Sequence, residues 1–467
     1  MTSPRKALTL GLVAVLGTGA LAACGTDDDA SDPAASGSSA TTSEAPKPVT
    51  LEVAIDAGLS KDAIAAFQAR ADQFHAANPE ITVKSREYTW DATTFSVELA
   101  GGTLPAVFTI PFTDGRALIA ANQIADISDE VAKLPYADKF NPNVAAAGQA
   151  EDGKMWAVPI AAYSQGLHYN RALFEKAGLD PDQPPTTWAQ IRADAKQIAE
   201  KTGVAGYATM TKSNTGGWIL TTLAYAMGGR LEEGTGDQTT ATIDTPGMRK
   251  AIDTLRTMRW TDDSMGGDFL YDWGSINQAF ASGKLGMYVS GGGNYGNLFT
   301  QNQMNPDDYG LTVLPLEGTD AGVLGGGTLA AVSAKVDDAT KAAAVKWIDF
   351  YYMQKLFDED QAKTDAKTTA AEGQPVGAPQ LPMFDKATYD EQQSWIKEYV
   401  NLPLDQMTGY TDHVFDQPLL PEPGKRTQDL YAALDPVMQS ILTKKDADVD
   451  KLLSAAQTKV QGILDSK

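Results

Sequence analysis

Leu51-Glu52-Val53-Ala54-Ile55, then Ile64, Phe67, Ala71 and Phe74, then Ile81-Thr82-Val83: this stretch decides the fold. The first run alternates apolar and polar residues as a half-buried strand does. The second repeats at helical spacing behind Ser60 as an N-cap, and Asn78-Pro79 stops it. The third is a strand again. A strand, helix, strand unit crosses over right-handed and makes its strands parallel, the grammar of an α/β lobe. That grammar recurs with Asn170 capping a helix from Arg171 to Ala177 that Gly178 ends, and with Thr187 capping Trp188 to Lys201 before Gly203. Lys341 to Phe357, with Ala344, Trp347, Ile348, Tyr351 and Tyr352 on one side, reads as another amphipathic helix. Thr427 to Leu464 reads as helical pieces broken by Pro436 and by the Lys444 to Asp448 turn.

From about Val49 to Lys467 the chain is too long for one compact core and suits two lobes. Hydrophobic residues at 43% and charged residues at 21% are ordinary globular values, and only the N-terminal apolar run approaches a membrane-spanning length. The formal net charge of −22 argues against nucleic acid, an anionic bilayer or a polyanionic ligand as partner. A solvated acidic surface is the expected explanation of that charge, ahead of an acidic patch built for a cationic ligand.

At the N-terminus, Arg5 and Lys6 precede an apolar run from Ala7 to Gly19 and the small-residue stretch Leu21-Ala22-Ala23-Cys24, the pattern of an export signal. The block resembles the lipobox of bacterial lipoproteins. That resemblance implies a signal peptide over 1–23 and lipidation at Cys24, the chain's one cysteine. Gly25 to Pro48 is Asp, Ser, Thr, Ala and Pro with almost nothing to bury, so 24–48 is expected to be a disordered tether. Its r.m.s. reach is about 25 to 30 Å. The expected location is the extracellular face of the cell membrane, with the membrane touched through the lipid alone.

The body carries a series of strings in a fixed order: Ile81-Thr82-Val83-Lys84, Gly101-Gly102-Thr103-Leu104-Pro105, Asp152-Gly153-Lys154-Met155-Trp156-Ala157-Val158-Pro159, and His168-Tyr169-Asn170-Arg171 running on to Gly178-Leu179. Pro184-Pro185-Thr186-Thr187-Trp188, Ala279-Phe280-Ala281-Ser282-Gly283-Lys284-Leu285-Gly286-Met287 and Gly325-Gly326-Gly327-Thr328-Leu329 follow. Together they resemble the extracellular solute-binding proteins of carbohydrate ABC importers, the family that includes maltose-binding protein. The resemblance runs from about residue 50 to the C-terminus. It implies a two-lobed periplasmic-binding-protein fold of type II, each lobe a sheet flanked by helices, with the ligand cleft at the hinge. Lobe 1 is expected over 49–160 and 319–372, lobe 2 over 161–318 and 373–467. The crossings are expected at Val158-Pro159-Ile160-Ala161 and Leu314-Pro315-Leu316-Glu317-Gly318, short extended runs with hinge character. The implied partners are a carbohydrate and the transmembrane subunits of an ABC permease. The protein is expected to be a monomer that uses no cofactor or metal.

A sugar presents C–H faces that stack on aromatic rings and hydroxyls that carboxylates and amides bind. Ligands of open α/β sheets lie beyond the carboxyl ends of the strands, where loops enter helices. Loops combining these groups are Asp56-Ala57-Gly58, Phe112-Thr113-Asp114-Gly115 and Tyr163-Ser164-Gln165. Asp56, Asp114 and Tyr163 are therefore candidate ligand contacts. Lys212-Ser213-Asn214-Thr215-Gly216-Gly217-Trp218 matches the family's aromatic loop facing the sugar, which adds Asn214 and Trp218. A tryptophan ahead of Ile219, Leu220 and Leu223 also reads as core. Gly326, in the Gly325 to Gly327 run after the expected return crossing, reads either as a backbone surface for ligand or as tight packing. Relatives commonly carry a tryptophan near Gly293, which this chain lacks. Tyr295 or Trp273 is then expected to replace it, unless the ligand differs in size or shape.

Enzyme chemistry finds little material. Sixty acidic residues make any carboxylate pair uninformative for a glycosidase, and His75, His168 and His413 are scattered. There is no His-x-x-x-His pair, no Gly-x-Ser-x-Gly elbow and no P-loop ending. His168 reads as a satisfied strand histidine. The expected function is binding by hinge closure and delivery to a permease, without chemistry. The alternatives are a non-sugar solute such as a polyol, a glycerophosphodiester or a peptide, and, remotely, an anchored glycosidase.

Overall fold

The computed structural model describes residues 48–59, 61–91, 94–234 and 238–466. Strands β1 (Val49–Ile55) and β2 (Ile81–Glu87) pair in parallel, Val49 opposite Ile81 and Ile55 opposite Glu87. The helix Lys61–Ala77 joins them, burying Phe67, Ala71 and Phe74, the stripe its periodicity predicts. Ser60, its expected cap, lies outside the described residues, as do the signal, Cys24 and all but the last residue of the tether. At the other end, the Asn78 amide donates to the Phe74 carbonyl at 3.1 Å.

The remaining strands are β3 (Val107–Pro111), β4 (Val158–Asn170), β5 (Ala205–Tyr207), β6 (Glu232–Glu233), β7 (Thr240–Ala241), β8 (Leu285–Gly291), β9 (Tyr309–Val313), β10 (Val323–Val332) and β11 (Leu419–Pro421). Nine form one sheet in the order β2-β1-β3-β10-β4-β8-β5, with β11 on β10 and β9 on β4; β6 and β7 form a separate pair. The thirteen residues of β4 organise it. Val158 to Ser164 pairs antiparallel with β10, and from Gln165 onward β4 changes partners to β8 and β9. One strand thereby serves two subsheets.

The antiparallel return is made by β10, and Leu314 to Gly318 forms no strand. Pro315 has no N–H to give a ladder, and its carbonyl accepts from Trp188 Nε1 at 3.0 Å. The Glu317 amide donates to Ala226 at 2.8 Å, which holds the segment against the helix Thr215–Ala226. Gly325 to Gly327 consequently sit inside the crossing strand, upstream of a register shift between Thr328 and Leu329.

One core packs Leu51, Val53, Val83, Val107, Val158 and Val332 beneath Phe74 and Trp347, whose rings meet edge to face at 5.3 Å. A second runs from Phe108 and Phe112 through Leu167 and Tyr169 into the helices Thr215–Ala226, Pro246–Trp260 and Thr427–Thr443. The helix predicted over 341–357 starts at Asp338 behind an Asp337 cap and contains a π-turn at Asp349–Met353. Thr427–Thr443 continues through Pro436 instead of breaking there, because nine buried side chains, Leu434 and Met438 among them, outweigh the lost hydrogen bond. Among the described residues no helix is long and apolar enough to cross a membrane.

Candidate functional site

Where β4 and β10 cross, Tyr163 stands opposite Gly326. A Cβ at Gly326 would lie 2.9 Å from both Tyr163 Oη and Glu422 Oε2. The missing side chain is what lets the tyrosine lean over β10 and donate to Glu422 Oε2 at 3.1 Å. The Tyr431 hydroxyl donates to the other carboxylate oxygen at 2.9 Å. Trp218 meets the Tyr163 ring at 6.4 Å and 72°, an edge contact. On the other side of Gly326, a Cβ at Gly327 would lie 2.7 Å from the Phe112 ring. Gly327, the next residue of the strand, faces the opposite side of the sheet with Phe112, so the wall on the Gly326 face is made of Tyr163, Glu422, Tyr431 and Trp218.

Local sequence puts each piece there. Asp435 accepts from the Asn214 and Gly217 amides, both at 2.8 Å, covering the N-terminus of Thr215–Ala226. Gly217 and Tyr431 approach backbone to backbone, so only glycine fits. Trp218 follows on the first turn, half-buried. Glu422 is held in the run Pro421-Glu422-Pro423-Gly424 directly after β11, which is itself registered on β10 from Val323 to Gly325. Sequence reasoning missed this residue, because its partner Tyr163 is 259 positions away. A carboxylate bracketed by two prolines, hence on a stiff extended segment, was the available signal.

The structure brings Tyr163, Trp218 and Gly326 together and distributes the other candidates. Asp114, in the helix Phe112–Ala120, accepts from Trp90 Nε1 at 3.1 Å. Burial raises its pKa against the lowering pull of its Trp90 and Thr113 hydrogen bonds. Asp56 is exposed just past β1. Asn214 has a left-handed φ of 68°, and its side-chain amide donates to Gln428 at 3.3 Å. Trp273 is 40% exposed and opens the helix Trp273–Ala281, capped by Asp272 in a reciprocal box with Ser275. Asp272 is pulled down to about 2 by its Ser275 hydrogen bonds and then by Lys212, whose ammonium lies 3.3 Å away and links this loop to that of Trp218.

Tyr295 differs from its expected role. It is 2% exposed, its ring stacked on Phe299 at 5.9 Å and set against Tyr309 at 5.1 Å, so protein rings already cover the faces a sugar would need. Gly293 faces Gln380.

Burial raises the Glu422 pKa, and the two phenols that hydrogen-bond to it work the other way. Burial, then the Glu422 charge, push the Tyr163 phenol well above its ordinary value. Among the described residues neither Glu422 nor Asp114 takes part in an ion pair, and no cluster of three metal-ligating side chains occurs. The wall offers ring surface, phenols and one carboxylate: groups for holding a polyhydroxyl solute.

A family model for bacterial extracellular solute-binding proteins matches residues 57–354. The chain belongs to that family. As a solute-binding protein of ABC transporters it takes small-molecule ligands outside the cytoplasm, works with permease subunits and is not an enzyme. The sn-glycerol-3-phosphate-binding periplasmic protein UgpB of Salmonella typhimurium is 25% identical over 299 residues, 60% of this chain and 65% of that protein. The cyclic α-maltosyl-1,6-maltose binding protein of Arthrobacter globiformis superposes with a TM-score of 0.66 at 22% identity, covering 90% of this chain and 99% of that one. UgpB from Mycobacterium tuberculosis, in complex with glycerophosphocholine, gives 0.63 at 18% identity, covering 90% and 98%. At these identities the likeness is one of fold, and that fold is the two-lobed α/β architecture.

Proposed function

We propose that this solute-binding protein captures a neutral sugar or oligosaccharide on the Tyr163, Trp218 and Glu422 wall and delivers it to its permease from a lipid anchor at Cys24. The observation that carries the reading is the pairing of an edge-packed Tyr163–Trp218 couple with a carboxylate that has hydroxyl partners and, among the described residues, no ion pair. Such a corner supplies stacking surface and hydrogen-bond acceptors, which is what a pyranose demands. Asp114 with Trp90 contributes from the helix after β3, and Trp273 and Asn214 form the rim. Closure, in this reading, is a rotation about the pairing of β4 with β10, between lobes proposed at 49–160 with 319–372 and at 161–318 with 373–467. The solute touches both lobes only in the closed form, so it shifts the population toward closure.

The relatives that bind glycerol phosphates keep a second reading open, a glycerophosphodiester solute. A thermal-shift panel of maltose, maltotriose, trehalose, ribitol, glycerol 3-phosphate and glycerophosphocholine separates the two. A ligand at 100 times its Kd adds about 2.7 kcal/mol to stability. The sugar reading expects a saccharide to give the largest shift; a shift from the phosphate compounds alone refutes it.

A further inference from the structure

We propose that Glu422 sets the charge of the solute, admitting neutral hydroxyl-bearing ligands and excluding those that carry phosphate. The inference rests on the wall being the solute site. Each oxygen of Glu422 holds one phenol, Tyr163 at 3.1 Å and Tyr431 at 2.9 Å. A carboxylate oxygen accepts along two lone-pair directions, so each keeps acceptor capacity for a ligand hydroxyl. A phosphate oxygen brings no proton to such a site and meets like charge instead.

The cations on the flanking segments have partners of their own. Lys212 pairs with Asp272 at 3.3 Å, Arg426 with Asp429 at 2.7 Å, and Arg230 donates to the Gly229 and Asp320 carbonyls at 2.6 and 2.7 Å. Lys425 bonds the Leu464 carbonyl. A second carboxylate adds to the field: Glu232 accepts from the Gly424 amide at 2.7 Å, two positions from Glu422. Burial, the Glu232 charge, the opposing charge of Arg230 and then the Glu422 charge act on Tyr225, and Lys425 pulls the Glu232 carboxyl down against its burial. Neither Glu422 nor Tyr431 lies within residues 57–354, so family membership alone does not supply this charge.

The test compares wild type, Glu422→Gln and Tyr163→Phe by calorimetric titration with maltotriose and with glycerol 3-phosphate, melting curves confirming that each variant is folded. Glu422→Gln keeps the shape and an acceptor while removing the charge. It is expected to bind glycerol 3-phosphate at least about tenfold more tightly than wild type, a factor corresponding to about 1.4 kcal/mol. Tyr163→Phe keeps the charge, so its affinity for maltotriose should fall while its exclusion of glycerol 3-phosphate persists. Raising the salt concentration should weaken that exclusion in wild type. No gain of phosphate binding in Glu422→Gln, or an equal gain in Tyr163→Phe, overturns the charge assignment and leaves the sugar reading standing. Wild-type binding of glycerol 3-phosphate without maltotriose overturns the sugar reading itself.

Discussion

Two polar aromatic clusters hang on β4, and they do opposite things. Tyr163 and His168 stand at odd and even positions of one strand, which places them on opposite faces of the sheet. Around Tyr163 the groups are half-open: Trp218 and Glu422 keep surface toward solvent. Around His168 everything is sealed, with Tyr288, Tyr309 and Asn277 fully buried. His168 Nε2 faces the Ser290 and Gly291 carbonyls at 3.3 and 3.1 Å, so that nitrogen carries the proton, and Nδ1 accepts from Tyr309 at 2.9 Å. Tyr288 and Asn294 both donate to Asn277 Oδ1 at 2.8 Å. In composition the two clusters are alike, tyrosines around one ionisable residue. Exposure separates them: the closed cluster specifies the fold, and the open one has capacity left for a solute.

Breaking the closed cluster should produce the largest effect. His168→Ala removes the bridge between β4, β8 and β9 and strands the Tyr309 hydroxyl, at a cost of about 3 to 5 kcal/mol in stability. Denaturant melts should record that loss, and saccharide affinity in the folded fraction should be unchanged. An affinity loss as large as the stability loss would join the two clusters into one site.

Acid should sharpen the contrast. Burial pushes His168 down to about 4 from 6.5, while its carbonyl contacts pull the other way. Its folded pKa lies below its unfolded one, so the stability it contributes is complete above pH 6.5 and is lost as pH falls toward about 4. The loss totals about 3 kcal/mol. His168→Gln should flatten the pH dependence of stability in that window, and an unchanged slope would show that the ring is not held neutral.

Gly326→Ala probes the open cluster from its backbone. The new Cβ presses on the Tyr163 hydroxyl and ring edge and on a Glu422 oxygen, so stability should fall by about 1 kcal/mol as their hydrogen bond is lost. Affinity should fall with it. Trp273→Ala should do least, about 0.5 kcal/mol of affinity with the melting point hardly moved, as befits an exposed rim residue whose cap is retained.

Much of the fold was legible because it is local. Alternation wrote β1 and β2, helical spacing wrote Lys61–Ala77, and Asn170 and Thr187 cap their helices as their positions predict, accepting from Leu173 at 3.0 Å and Gln190 at 3.1 Å. The misreadings are non-local. Leu314 to Gly318 has the extended look of a crossing, yet Trp188 and Ala226 capture it. Pro436 looks like a break, but packing carries the helix through. At the site, Tyr163 and Trp218 were legible as aromatics beside polar residues, although Tyr163 lies inside β4 and Trp218 on the first turn of a helix and neither on a loop. Glu422 was not, because a carboxylate among sixty gains meaning only when β11 lays it beside β10. Of the two residues expected to replace the tryptophan near Gly293, Tyr295 is covered by Phe299 and Tyr309, and sequence does not say which rings cover one another.

The claim that the open cluster holds the solute is tested most directly by calorimetric titration of Trp218→Ala with the panel saccharide that stabilises wild type most. The expected result is an affinity loss of about 1 to 3 kcal/mol with the unliganded melting point little changed. Wild-type affinity in this variant, together with a stability loss of about 3 to 5 kcal/mol, would make Trp218 a core residue and contradict the account.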